Sequence, residues 1–109
     1  AFRYAFAGIA AMFRTEHNAW IHAVVALLVI AAAIVLRLSA IEWCLISLCI
    51  GGVFMAEAFN TAIEALCDKV STEYSPFIKK AKDVAAGAVL LFAFAAVAVG
   101  LIIFIPKIF

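Results

Sequence analysis

Glu57-Ala58-Phe59-Asn60-Thr61-Ala62-Ile63-Glu64-Ala65-Leu66-Cys67-Asp68 stands at the end of a long apolar run, where polar groups should be scarce. It nevertheless carries Glu57, Asn60, Thr61, Glu64 and Asp68, the last four at offsets of three, four, seven and eleven from the first. At about 100° per residue, a helix brings Glu64 and Asp68 to within roughly 20° of Glu57. Asn60 and Thr61 flank that line, so the polar groups make one narrow strip and the other faces stay apolar. A carboxylate inside a membrane is costly and by default marks a functional site.

The chain around this strip has 109 residues, 70% of them hydrophobic, and a mean hydropathy of +1.24. An ordinary soluble domain is about half apolar, so the composition predicts a single all-α integral membrane domain over residues 1–109. The net charge of +1 leaves no broad basic surface for nucleic acid. Cys44, Cys49 and Cys67 form no CxxC pair and no metal-ligand spacing, and read as small buried hydrophobes.

Residues 1–15 alternate Arg3, Tyr4 and Arg14 with apolar residues at three- and four-residue steps. That pattern predicts an amphipathic helix lying on a membrane surface. No cleavable signal pattern precedes the first long apolar run. Three spans follow, at about 20–37, 41–67 and 84–105, of a length that suits a bilayer. Trp20 and Trp43 suit interfacial positions. Gly51 and Gly52 suit a tight helix crossing or a bend. Residues 69–83, with Pro76 and a polar cluster, read as a loop, and Pro106 with Lys107 as the close of the last span. Arg3 and Arg14 lie in the N-terminal segment, and Lys69, Lys79, Lys80 and Lys82 in the second loop. The excess of positive charge places both on the cytoplasmic side of the membrane.

This topology gathers Glu16, Asn18, Glu64, Asp68, Lys82 and Asp83 at one membrane face. At about 1.5 Å per residue, Glu64 lies about 6 Å and Glu57 about 16 Å deeper than Asp68. A polarity gradient of this kind suits a reaction between a water-soluble reagent and a lipid. Carboxylates with Asn and Lys nearby suit Mg²⁺ and phosphates, and a deeper carboxylate can take a proton from a lipid hydroxyl.

Each feature also has a plainer reading. Glu57 can be a protonated structural carboxylate hydrogen-bonded between helices. Glu16 can be a helix-start acid, Asp83 a helix cap, and Asn60 and Thr61 interhelical hydrogen-bonding groups. His17 and His22 read as structural, and the role of Asp68 stays open. Whole-protein alternatives are a small multidrug-type transporter using an intramembrane carboxylate and a non-catalytic assembly subunit. The small exporters have four spans with the key Glu in the first.

The pattern Glu57-x-x-Asn60-Thr61-Ala62-Ile63-Glu64-x-x-x-Asp68, followed by Lys82-Asp83-x-Ala85-Ala86-x-Ala88-Val89, resembles the signature of the small prokaryotic diacylglycerol kinases. The resemblance takes in Tyr4, Gly8, Glu16 and the three spans, and so covers nearly the whole chain. Glu16-x-Asn18 with His22 is closer to the undecaprenol kinase branch than to the enterobacterial diacylglycerol kinases. The latter have a His after the Glu-Tyr pair of the second loop, where this chain has Ser75. The resemblance implies a Mg²⁺-dependent, ATP-consuming lipid kinase, a homotrimer of bacterial cytoplasmic membranes with sites shared between subunits. Glu57 would be the catalytic base and Asn60 would orient the reacting groups beside it. Glu16 and Glu64 would hold Mg²⁺ on the phosphates of ATP. Tyr4, Glu73, Tyr74, Ser75, Lys82 and Asp83 would bind the nucleotide, and the amphipathic helix would gate lipid entry. No P-loop or kinase Gly-rich loop is present, so side chains must hold the nucleotide.

Overall fold

A computed structural model describes residues 1–71 and 73–109. Four helices follow one another, α1 (Phe2–Thr15), α2 (His17–Val35), α3 (Ala40–Val70) and α4 (Pro76–Ile108), with no strand among the described residues. α2, α3 and α4 are each long and apolar enough to cross a membrane. At about 1.5 Å per residue, the 19 residues of α2 reach about 28 Å, close to the roughly 30 Å of hydrocarbon. The 31 residues of α3 and 33 of α4 exceed that thickness, so their ends project beyond it. α1, with 14 residues, is too short to span.

Turn chemistry explains each boundary. Glu16 leaves the helical region at φ −114°, ψ 111°, which breaks α1 from α2. The break is clamped by Trp20, whose Nε1 donates to the Phe13 carbonyl at 2.8 Å. α2 closes with two bonds, Leu38 N–H to Ala33 O at 3.2 Å and Arg37 N–H to Ile34 O at 3.3 Å. This is the Schellman arrangement, and it requires left-handed backbone at the residue after the cap. Arg37 supplies it at φ 56°. Ser39 then opens α3 with a capping box: its hydroxyl accepts from the Glu42 N–H, and the Glu42 carboxylate accepts from the Ser39 N–H.

Glu42 also pairs with Lys107 of α4 at 3.0 Å, beside a buried cluster of Ala33, Leu38, Ile46 and Ile103 on which Trp43 packs. This end of the bundle is closed by packing. α3 and α4 run in close contact, and a Cβ on Gly52 would collide with the Phe92 ring. Gly51 has open space beside it, so of the two glycines only Gly52 serves the crossing.

Two sequence expectations are corrected. The loop expected over 69–83 is confined to the short link between Val70 and Pro76, because Pro76 occupies the first turn of α4. Proline is tolerated there since that N–H has no helical partner. Thr72, within the expected loop, lies outside the described residues. At the other end, α4 runs through Pro106 to Ile108. A proline this near the C-terminus forfeits one helical hydrogen bond and does not stop the helix.

Candidate active site at the open end of the bundle

The strip on α3 is a gradient of exposure. Glu57 is 1% and Asn60 5% exposed, Glu64 is half-buried, and the Asp68 side chain is 67% exposed. Thr61 is spent locally, its hydroxyl donating to the Glu57 carbonyl at 2.9 Å. It therefore does not bridge helices as its polarity suggested. Asn60 Nδ2 donates to Glu64 Oε1 at 3.2 Å, one turn along. The Asn60 Oδ1 and both carboxylate oxygens of Glu57 are buried without a hydrogen-bond partner.

The residues that carry these atoms, Glu57 and Asn60, line a cleft of about 270 Å³ whose wall also includes Asn18, His22 and Leu90. A buried polar atom without a partner costs roughly 1–3 kcal/mol and calls for an explanation. The site supplies one, since the residues that carry these oxygens line a cleft that a hydroxyl-bearing ligand can fill. The interhelical hydrogen bond expected of a purely structural Glu57 is absent among the described residues.

Glu16, placed by the break between α1 and α2, makes no capping hydrogen bond. Its carboxyl is raised above the ordinary carboxylate range, first by burial. The neighbouring Glu64 raises it further by charge repulsion and by a side-chain hydrogen bond, and Glu57 adds a smaller repulsion. Two carboxyls in such contact are a donor pair for a divalent cation. No group of three or more His, Cys, Asp or Glu side chains forms a metal cage among the described residues. Mg²⁺ is suited to a carboxylate pair, because it typically uses one or two carboxylates and takes further ligands from substrate phosphates and water.

A second cleft, of about 570 Å³, opens beyond Asp68 at the α3–α4 link. Its lining includes Glu73, Tyr74, Ser75, Lys82 and Asp83, so five of the residues assigned to nucleotide binding gather at one place. Lys82 Nζ meets Asp68 Oδ1 at 2.6 Å, so Asp68 has a partner across helices. Asp83 pairs with Lys79 at 2.5 Å, one turn back on α4. It lies in the second turn of a helix that starts at Pro76 and so does not cap it. Tyr4 is not brought to either cleft. It stands 73% exposed on α1, with the Arg3 guanidinium 5.5 Å from its ring.

The prokaryotic diacylglycerol kinase family model matches residues 3–104. The chain belongs to the prokaryotic diacylglycerol kinase family. It is 45% identical over 107 residues to the undecaprenol kinase of Bacillus subtilis, covering 98% of this chain and 87% of that protein. It is 44% identical over 107 residues to a diacylglycerol kinase of Synechocystis, covering 97% of this chain and 61% of that longer protein. The protein is accordingly a multi-pass membrane lipid kinase. Membership in a kinase family sets aside the transporter and assembly-subunit alternatives.

One residue that reads from the sequence as structural borders this candidate site. His22 stands with its Nε2 3.6 Å from Glu57 Oε2. Its signal was present in the pattern: Asn18 and His22 lie four residues apart, one helical turn, and His22 sits inside an otherwise apolar run.

Proposed function

We propose that the protein transfers the terminal phosphoryl group of ATP to the hydroxyl of a membrane lipid alcohol, diacylglycerol or undecaprenol, in a Mg²⁺-dependent reaction. The observation that carries this is Glu57, a carboxylate 1% exposed, with both oxygens unpartnered at the wall of a cleft. Glu57 takes the proton of the lipid hydroxyl as that oxygen attacks the terminal phosphorus. The bond from phosphorus to the bridging oxygen breaks and ADP leaves. Phosphoryl transfer asks the protein mainly for positioning and charge neutralisation. Asn60, which lines the cleft, holds Glu64 by its amide and keeps a carbonyl oxygen without a partner.

Glu16 and Glu64 are the residues that would hold Mg²⁺, which supplies charge neutralisation at the phosphate oxygens when bound. Lys82 provides a cation for the phosphates, and Asp68 keeps it in place. The cleft lined by Glu73, Tyr74 and Ser75 receives the nucleoside portion. Together these are side-chain contacts without a phosphate-binding loop, consistent with modest ATP affinity.

An apolar groove of about 200 Å³ runs from His22 past Val29 and Cys49 to Phe104, and can hold a lipid chain whose head reaches Glu57. The spans leave most of their apolar surface open in one chain. A homotrimer with shared sites would cover part of it and bring a Tyr4 to a neighbouring subunit's nucleotide cleft. α1 lies on the membrane surface beside the lipid entrance, and the N-terminus and α3–α4 link face the cytoplasm. Purified protein in detergent with ATP and Mg²⁺ is expected to phosphorylate 1,2-dioleoylglycerol or undecaprenol. Glu57→Gln is expected to lower turnover by roughly 10²–10⁴-fold, the usual contribution of a general base. Full activity in that variant removes the base assignment.

A further inference from the structure

His22 and Ala93 border both the polar cleft around Glu57 and the apolar groove that runs to Phe104. Of the two, only His22 can hydrogen-bond. Its Nε2 lies 3.6 Å from Glu57 Oε2, about 0.5–0.8 Å longer than a formed hydrogen bond. Catalytic hydrogen bonds are often long before substrate binds and tighten afterwards. Besides His22, the titratable groups lining these two cavities are Glu57 and Cys49, both from α3, while α4 contributes only apolar side chains and a glycine.

The imidazole is held from behind. Phe54 meets it edge-on, with ring centroids 6.4 Å apart and planes at 77°. Phe54 lies 6.0 Å from Phe13, and Phe13 lies 5.1 Å from Trp20. The Trp20 indole closes the series on the Phe13 carbonyl. Packed aromatics thus connect the end of α1 to the one polar ring beside the Glu57 carboxylate.

We propose that His22 is a positioning residue of the lipid kinase reaction. It donates from Nε2 to Glu57 Oε2, which turns the other carboxylate oxygen towards the acceptor hydroxyl where the apolar groove meets the cleft. A carboxylate among apolar walls can rotate about its last bond, and one hydrogen bond suffices to set its plane. The assignment rests on Glu57 being the base, and adds to it the residue that aims the base.

His22→Gln and His22→Met test this directly. Both replacements are unbranched helix formers of similar size, and only Gln keeps a donor. Rates are measured with ATP, Mg²⁺ and 1,2-dioleoylglycerol or undecaprenol in detergent micelles. His22→Met is expected to lose roughly 10–100-fold in kcat, the scale of a misplaced catalytic group, with the KM for ATP unchanged. His22→Gln is expected to recover most of that loss, and added imidazole to restore part of the activity of His22→Ala. In a Glu57→Gln background His22→Met should have no further effect, because the two act as a unit. Equal kcat for the Gln and Met variants overturns the assignment, as does a change confined to the KM for ATP. Failure here is distinguishable from failure of the base itself: an active Glu57→Gln removes the base, whereas an inactive Glu57→Gln with equal Gln and Met variants removes only His22.

Discussion

Replacing Glu57 by Met should make the protein more stable while it destroys activity. Glu57 is 1% exposed and neither carboxylate oxygen has a hydrogen-bond partner. The His22 imidazole stands at 3.6 Å, too far to satisfy it. A buried polar atom left unsatisfied costs about 1–3 kcal/mol, and more if it is charged. Met has similar length, is apolar, and fits irregular gaps. Two such atoms together cost roughly 2–6 kcal/mol, and the partial attraction to His22 offsets some of the gain, leaving a net stabilisation of about 1–3 kcal/mol. For a chain of this size that corresponds to an upward shift of several degrees in Tm. Retention of the gel-filtration peak after graded heating in detergent measures the shift, and the lipid kinase assay on the same samples measures activity. A structural carboxylate gives the opposite result. If Glu57→Met melts below the parent protein, Glu57 holds helices together and the assignment of its burial to catalysis is refuted.

Gly52→Ala should destabilise by about 1–3 kcal/mol, the usual cost of overpacking, because its new Cβ meets the Phe92 ring, whereas Gly51→Ala finds open space and should be neutral or better. Heating in detergent, with Gly51→Ala alongside, checks both. Arg37→Gly should stabilise by about 1 kcal/mol, the penalty that an L side chain incurs in left-handed backbone; an unchanged Tm would count against the φ of 56° at this position. The Glu16 carboxyl is raised by burial, by Glu64 and by Glu57, so its protonated form favours the folded state. Stability from this group is present below the ordinary carboxylate range and is lost as pH rises through the raised value. Without divalent ions Tm should fall over that window, and Mg²⁺ should restore it at the upper end by replacing the proton. A pH profile that Mg²⁺ leaves unaltered would argue against metal binding by this pair.

Much of the site was legible because a helix converts spacing into direction. Glu57, Asn60, Glu64 and Asp68 share a strip whatever the helix packs against, and their exposure does rise from Glu57 to Asp68. The start of α4 was less legible. Pro76 and the polar run after it look like a loop, yet a proline at the first turn and the Lys79–Asp83 pair one turn apart are compatible with helix. Thr61 shows the same limit for a side chain, since its hydroxyl has a partner within its own helix that competes with any partner across helices.

The sequence by itself determined the three spans, the short amphipathic helix, and the identity of the acids that line one face of α3. Hydrophobic length and helical periodicity are local properties, and lipid demands that each spanning segment satisfy its own backbone. Tertiary structure alone decided which groups meet across helices. It set His22 of α2 beside Glu57, paired Lys82 of α4 with Asp68, brought Glu16 against Glu64, and selected Gly52 rather than Gly51 for the crossing with Phe92. Those contacts depend on the rotation and axial offset of whole helices. Both are set by the summed packing of many side chains, and no single stretch of sequence encodes that sum.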